Sequence, residues 1–179
     1  MHEFAGRIII PFFDQYGGLI ALSSRDWRED AYRKFYHEQY SKSLYLFGLN
    51  VAKSHIMQYN LCIIVEGEFD VMSLHNKGLN CVVGAVGTSL QLYQMSILKR
   101  YCDDFYLVFD GDDAGENAIK KALHLGDIHY LYSCGINLIP VYLPGGKDPD
   151  NIIKEQGKSV FIKLLQEAKV KFKGSNRGK

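Results

Sequence analysis

Phe105-Tyr106-Leu107-Val108-Phe109-Asp110-Gly111-Asp112 decides the fold. Its five leading apolar residues, bounded by Asp and Gly, have the length and composition of a buried strand. Asp110 and Asp112 leave the end of that strand around Gly111, where the backbone is free to turn sharply. A second run of the same kind, Leu61-Cys62-Ile63-Ile64-Val65, ends in Glu66 and Gly67, with Asp70 close behind. Two strand ends therefore deliver carboxylates, the donor type that hard divalent cations require.

Working outward, strands and helices alternate. Phe69 to His75 has helical spacing before Gly78, and Cys81 to Val86 is another apolar run. Ser89 is expected to cap a helix reaching Arg100, Ala114 to Leu125 reads as a helix ending at Gly126, and Ile136 to Leu143 as a strand. This alternation implies a mostly parallel α/β sheet with helices on both faces. Ligands of such sheets bind outside the carboxyl ends of the strands, where Glu66, Asp110 and Asp112 fall. Upstream, Arg7 to Phe13 and Leu19 to Leu22 flank Asp14-Gln15-Tyr16-Gly17-Gly18, a hairpin signal. Between Asp26 and Tyr45 no element is assigned. Downstream, Pro149 is expected to open a helix over Asn151 to Gln156, and Ser159 to cap one over Val160 to Ala168.

With 179 residues, 47% of them hydrophobic, the chain can bury a core of one domain with an appended piece. No stretch approaches the roughly 18 apolar residues of a membrane span, and no membrane partner is expected. Met1-His2-Glu3-Phe4 lacks the basic start and apolar core of a signal peptide, so a cytoplasmic setting is expected. Cys62, Cys81, Cys102 and Cys134 are far apart without a CxxC pair, which predicts reduced thiols and no zinc site within the chain. Net charge is +1, unevenly spread: residues 59–168 hold nine Lys/Arg against fourteen Asp/Glu, and residues 169–179 hold five against none. Bound divalent cations would offset the acidic middle; a solvated acidic face is the plainer alternative. The basic end from Lys169 reads as disordered.

Taken singly, each acid reads as a turn residue or helix cap. Together, Glu66, Asp110, Asp112, Asp148 and Asp150 supply carboxylates from three loops along one sheet edge. That set suits phosphoryl transfer, in which metal ions activate an attacking hydroxyl and neutralise the leaving oxygen.

The ordered series Val65-Glu66-Gly67-Glu68-Phe69-Asp70, Val86-Gly87-Thr88-Ser89 and Phe109-Asp110-Gly111-Asp112-Asp113-Ala114-Gly115 resembles the Toprim domain. Leu143-Pro144-Gly145-Gly146-Lys147-Asp148-Pro149-Asp150 looks like the third acidic motif of bacterial DnaG-type primases. Gly6 to Asp14 and Leu46-Phe47-Gly48-Leu49 look like the part of that polymerase core preceding Toprim. The resemblance covers nearly all of residues 4–165.

What it implies is a Rossmann-like Toprim sheet over 59–144. A partial mixed α+β N-terminal subdomain precedes it over 1–58. The third acidic motif and short helices follow over 145–168, then the tail over 169–179. The implied activity is that of a bacterial or phage-encoded DNA primase: short RNA primers made from ribonucleoside triphosphates on a single-stranded DNA template during replication. A replicative helicase would be engaged through regions outside this chain. Two or more Mg²⁺ or Mn²⁺ ions would be held by Asp110, Asp112, Asp148 and Asp150, with Glu66 assisting the primer hydroxyl as base or through metal. Asp70 would hold the local turn, with Gly67 and Gly111, or touch metal. Arg7, Lys34 and Lys42 match the basic residues facing template and nucleotide; without the resemblance each reads as a solvated surface charge. Gly87 and Thr88 form either a plain turn or a phosphate contact, and Gly115 is expected to permit close packing. Ala21 to Arg25 and Phe35 to Glu38 depart from the family pattern. Two other readings stand beside it: a Toprim-type metal-dependent nuclease, which uses the same acids, and a catalytically inactive binding module of a replication complex, which those departures keep open. The block from Arg7 to Leu49, which a nuclease does not need, favours the primase.

Overall fold

The computed structural model describes residues 4–28, 35–87, 90–124, 131 and 133–176, with the side chains of 35–37 and 174–176 left aside. Lys34, Thr88, Ser89 and the expected helix end at Leu125 and Gly126 lie outside the described residues.

A four-stranded sheet carries the acidic motifs. β4 (Leu61–Val65) and β6 (Asp104–Leu107) lie at its centre, flanked by β5 (Val82–Gly84) and β7 (Asn137–Pro140), in the order β5-β4-β6-β7. Every pairing is parallel. Alternate side chains of each strand point to opposite faces, and both faces are covered, so the strands read as continuous apolar runs. Cys62, Ile64, Phe105 and Leu107 pack against α1 (Leu49–Tyr59), α3 (Leu92–Leu98) and α4 (Asp113–Leu123). Ile63, Val65, Tyr106 and Val108 pack against α2 (Glu68–Asn76), α5 (Pro149–Glu155) and α6 (Gly157–Asn176). This is the doubly covered, mostly parallel α/β sheet that the sequence implies.

A second, antiparallel sheet joins β1 (Ile8–Phe13), β2 (Leu19–Arg25) and β3 (Phe35–His37). The expected hairpin is present: Asp14 Oδ1 accepts the backbone N–H groups of Tyr16 and Gly18, each at 2.8 Å. Ile10, Phe12 and Ala21 from this sheet share the apolar cluster of the α2 face. Phe47 pairs with Gly84 through two backbone hydrogen bonds of 2.9 and 3.0 Å. The N-terminal piece is therefore bonded to the edge of the parallel sheet.

Three expectations need correction. The basic stretch from Lys169 is not disordered through residue 176, because α6 continues to Asn176. Phe161, Leu164, Leu165, Ala168 and Phe172 recur at helical spacing and pack on the core, and Lys169 pairs with Asp104. The lysines between them hide that period in a composition reading. Ser159 accordingly lies inside α6 rather than capping it. The helix expected from Ser89 starts at Leu92, where Gln91 and Gln94 form a capping box. α1 was not legible either: Gly48 caps it with no side chain, and only Leu49, Ala52 and Ile56 are buried.

Candidate active site

The carboxyl ends of β4, β6 and β7 bring the acidic loops to one edge. Glu66 follows β4 directly, and Gly67 then opens α2 as its cap. The Gly67 N–H donates to Asp70 Oδ2 at 3.2 Å, so Asp70 holds the local turn, one of the two roles open to it. Asp110 stands three residues beyond β6. Gly111 donates its N–H to the Lys147 carbonyl at 3.0 Å, and a Cβ there would lie 2.8 Å from the Leu143 oxygen. Only a residue without a side chain lets the second acidic loop interlock with the third.

Asp112 and Asp148 are both helix caps, as the plainer reading has it. Asp112 Oδ1 accepts from Gly115 N at 2.8 Å to start α4, and Asp148 Oδ1 accepts from Asn151 N at 2.6 Å to start α5. Asp150 is more occupied: one oxygen takes the Ser73 hydroxyl, and the other pairs with Lys154 at 2.5 Å.

The acids feel one another. Burial raises the Glu66 pKa, and the charges of Asp110 and Asp112 push the same way, against a hydrogen bond from the Asp110 backbone. Burial, then Asp148 and Asp112, raise Asp110. Asp70 is pushed up to about 7, first by burial and then by Asp110. Glu66 Oε1 is buried with no hydrogen-bond partner among the described residues. An unpartnered carboxylate oxygen inside a set of mutually repelling carboxylates suits a hard divalent cation. Among the described residues no three His, Cys, Asp or Glu side chains stand close enough together to hold a metal ion by themselves.

Lys42 reaches the same sheet edge from the 3-10 turn Lys42–Leu44. Its ammonium lies 3.0 Å from where a Cβ on Gly87 would stand. Gly87 has φ +69°, and Val86 before it also has positive φ, 33°. For a β-branched residue that region is strained, a feature concentrated at functional sites. Arg7 is held by its neighbours: its guanidinium bonds Ser24 Oγ at 2.8 Å and pairs with Asp26 at 3.3 Å, with 9% of its side chain exposed. It ties the start of β1 to the end of β2.

Sequence reading passed over Gln94. Fully buried, it donates to the carbonyls of Lys42 at 3.1 Å and Tyr45 at 2.7 Å and fixes the Lys42 turn against α3. A lone amide beside Met95, Ile97 and Leu98 on an apolar helix was the available signal.

Known proteins share this fold. Residues 63–153 match the family described as Toprim-like. The DNA primase of Aquifex aeolicus is 37% identical over 169 residues, covering 92% of this chain and 33% of that protein. The crystal structure of the zinc binding and RNA polymerase domains of the Aquifex aeolicus primase superposes with a TM-score of 0.82 at 37% identity, covering 92% of this chain and 41% of that one. A DnaG primase catalytic domain bound to single-stranded DNA superposes with a TM-score of 0.78 at 28% identity, covering 90% of this chain and 51% of that one. The chain spans about a third of the length of the Aquifex relative. It belongs to the Toprim-like family, and its Toprim domain is of the kind found in bacterial DnaG-type primases.

Proposed function

We propose that this chain is the metal-holding part of a DNA primase, extending short RNA from ribonucleoside triphosphates on single-stranded DNA. The observation that carries the reading is the strand-end set of Glu66, Asp110, Asp112 and Asp148, with one buried Glu66 oxygen unpartnered among the described residues and Lys42 over Gly87 beside it. Toprim primases are divalent-metal dependent as a family, and Mg²⁺ or Mn²⁺ fits this all-oxygen donor set. Bound there, such ions would lower the pKa of the primer hydroxyl and neutralise charge on the nucleotide phosphates. Glu66 and Asp110 would supply the inner donors, and Asp112 and Asp148 the oxygens left over from capping α4 and α5. Asp150, engaged by Ser73 and Lys154, would act at the margin. Lys42 would meet the triphosphate, with the Gly87 backbone beneath it. Arg7, bonded to Ser24 and Asp26, would shape the sheet that carries it. The relative solved with single-stranded DNA supports that polymer as template; a helicase partner would dock outside this chain.

The test is incorporation of labelled ribonucleotide on a single-stranded DNA template with Mg²⁺ or Mn²⁺, in this chain and in the longer protein. Wild type is expected to make short RNA, and Asp110→Ala and Glu66→Ala to abolish it while remaining folded. Synthesis persisting in both variants contradicts the site. DNA cleavage in place of synthesis means a nuclease, and neither activity in the longer protein means a binding module.

A further inference from the structure

A cavity of about 550 Å³ opens at the amino ends of β4 and β5, the end of the parallel sheet opposite the acidic loops. The last turn of α1, the loop that leads into β5 and the first turns of α6 surround it. Its walls are Leu61, Ile63, Leu79, Ile162 and Leu165. Interiors are packed too closely to leave such a space, and its size is that of small-molecule sites, which set a few polar groups in apolar walls. The metal-centre reading gives it no task.

Tyr106 supplies one of those polar groups. It lines the cavity from β6, beside Ile63, and is only 6% exposed. Its hydroxyl has no hydrogen-bond partner among the described residues, although buried hydroxyls ordinarily have one. Asp104, two residues earlier on the same face of β6, is already engaged by Lys169 and by Asn137 Nδ2 at 2.8 Å. Burial and then the Asp104 charge push the Tyr106 phenol up to about 12, so it stays a donor at neutral pH.

The charge around the cavity has one sign. Lys158 and His55 line it, and no carboxylate does. The Lys158 ammonium donates to the Gly78 carbonyl at 2.8 Å and pairs with no acid among the described residues, so further N–H donors remain for a ligand. Tyr59 adds a ring that is 61% exposed.

We propose that this cavity binds a small aromatic anion: a flat ring system against the leucine and isoleucine walls, an acceptor atom that takes the Tyr106 hydroxyl, and a carboxylate, sulfonate or phosphate at Lys158. The site shares no residue with the acidic loops and stands whether or not the chain transfers nucleotides.

Titration of the 179-residue chain with a hydroxynaphthalene sulfonate, followed by amide NMR spectra, tests it. Shifts are expected at Leu79, Cys81, Ile162 and Leu165 and not at Glu66 or Asp110. Lys158→Gln is expected to weaken binding about threefold to fivefold, a loss that high salt reproduces in the wild type. Tyr106→Phe is expected to weaken it about threefold to tenfold, while naphthalene sulfonate without the ring hydroxyl binds as before. Because the Tyr106 hydroxyl bonds nothing in the free chain, the melting temperature of Tyr106→Phe stays that of the wild type. Binding indifferent to both substitutions, shifts gathered at the acidic loops, or no binding by the wild type overturns the site. Loss of binding in the longer protein gives the cavity to a polypeptide segment instead and overturns it too.

Discussion

A Cβ at Gly115 would fall 2.1 Å from the Asp110 carbonyl oxygen and 2.8 Å from the Asp110 nitrogen. The first turn of α4 therefore lies directly on the backbone of the acid that follows β6, and Asp112 closes the contact by capping Gly115 N. Both clashing atoms are backbone, so no rotamer relieves them. Gly115→Ala is expected to cost on the order of 2–3 kcal/mol in a urea unfolding curve, and to weaken Mn²⁺ binding by displacing Asp110. An alanine variant with wild-type stability and affinity would show that the turn adapts freely.

The acid cluster sets how stability varies with pH. Asp70, Glu66 and Asp110 all have pKa values raised on folding, Asp70 to about 7. These three acids thus bind more protons in the folded chain than in the unfolded one between about pH 4 and pH 7, so their contribution to stability falls as pH rises through that window. Without divalent metal the melting temperature is expected to be higher at pH 5 than at pH 8. Asn at position 70 still accepts the Gly67 N–H but carries no charge. Asp70→Asn should flatten the profile and gain roughly 1–2 kcal/mol at pH 8. A profile rising with pH in the metal-free wild type would contradict the mutual repulsion.

Gln94 supports Lys42 without touching substrate. Gln94→Met fits the same space but leaves the Lys42 and Tyr45 carbonyls without their donor. Losing those buried bonds is expected to cost about 1–3 kcal/mol, read by thermal melting, and to weaken ATP binding more than Mn²⁺ binding. Equal weakening of both would place Gln94 with the acids instead.

The last turns of α6 belong to the folded core. Removing residues 169–179 strips Phe172 from its cluster and Lys169 from Asp104. A loss of about 1–3 kcal/mol is expected, measurable by denaturant titration. A truncated chain as stable as the whole would restore the disordered-tail reading.

The parallel sheet was legible because β4 and β6 are buried on both faces and read as apolar runs with acids at their ends. The same pattern carried the acids of three loops to one edge. Asp112 and Asp148 were legible as caps and as candidate donors at once, since a cap occupies only one carboxylate oxygen. The interlocking of Gly111 with the Leu143–Lys147 loop was not legible, because it joins segments more than thirty residues apart in the chain. Nor was the engagement of Arg7 by Ser24 and Asp26, which depends on the register of β1 against β2. Glu68 lay inside a quoted motif, but Ser23, which donates a hydrogen bond to it, is 45 residues away.

The most direct measurement is Mn²⁺ titration of the 179-residue chain, followed by the loss of the free-ion paramagnetic signal, in wild type and Asp110→Ala. Wild type is expected to bind at least one ion at pH 8, and Asp110→Ala to lose about tenfold or more in affinity with its fold intact. Equal binding by both proteins, or none by the wild type, would contradict a metal centre at this sheet edge.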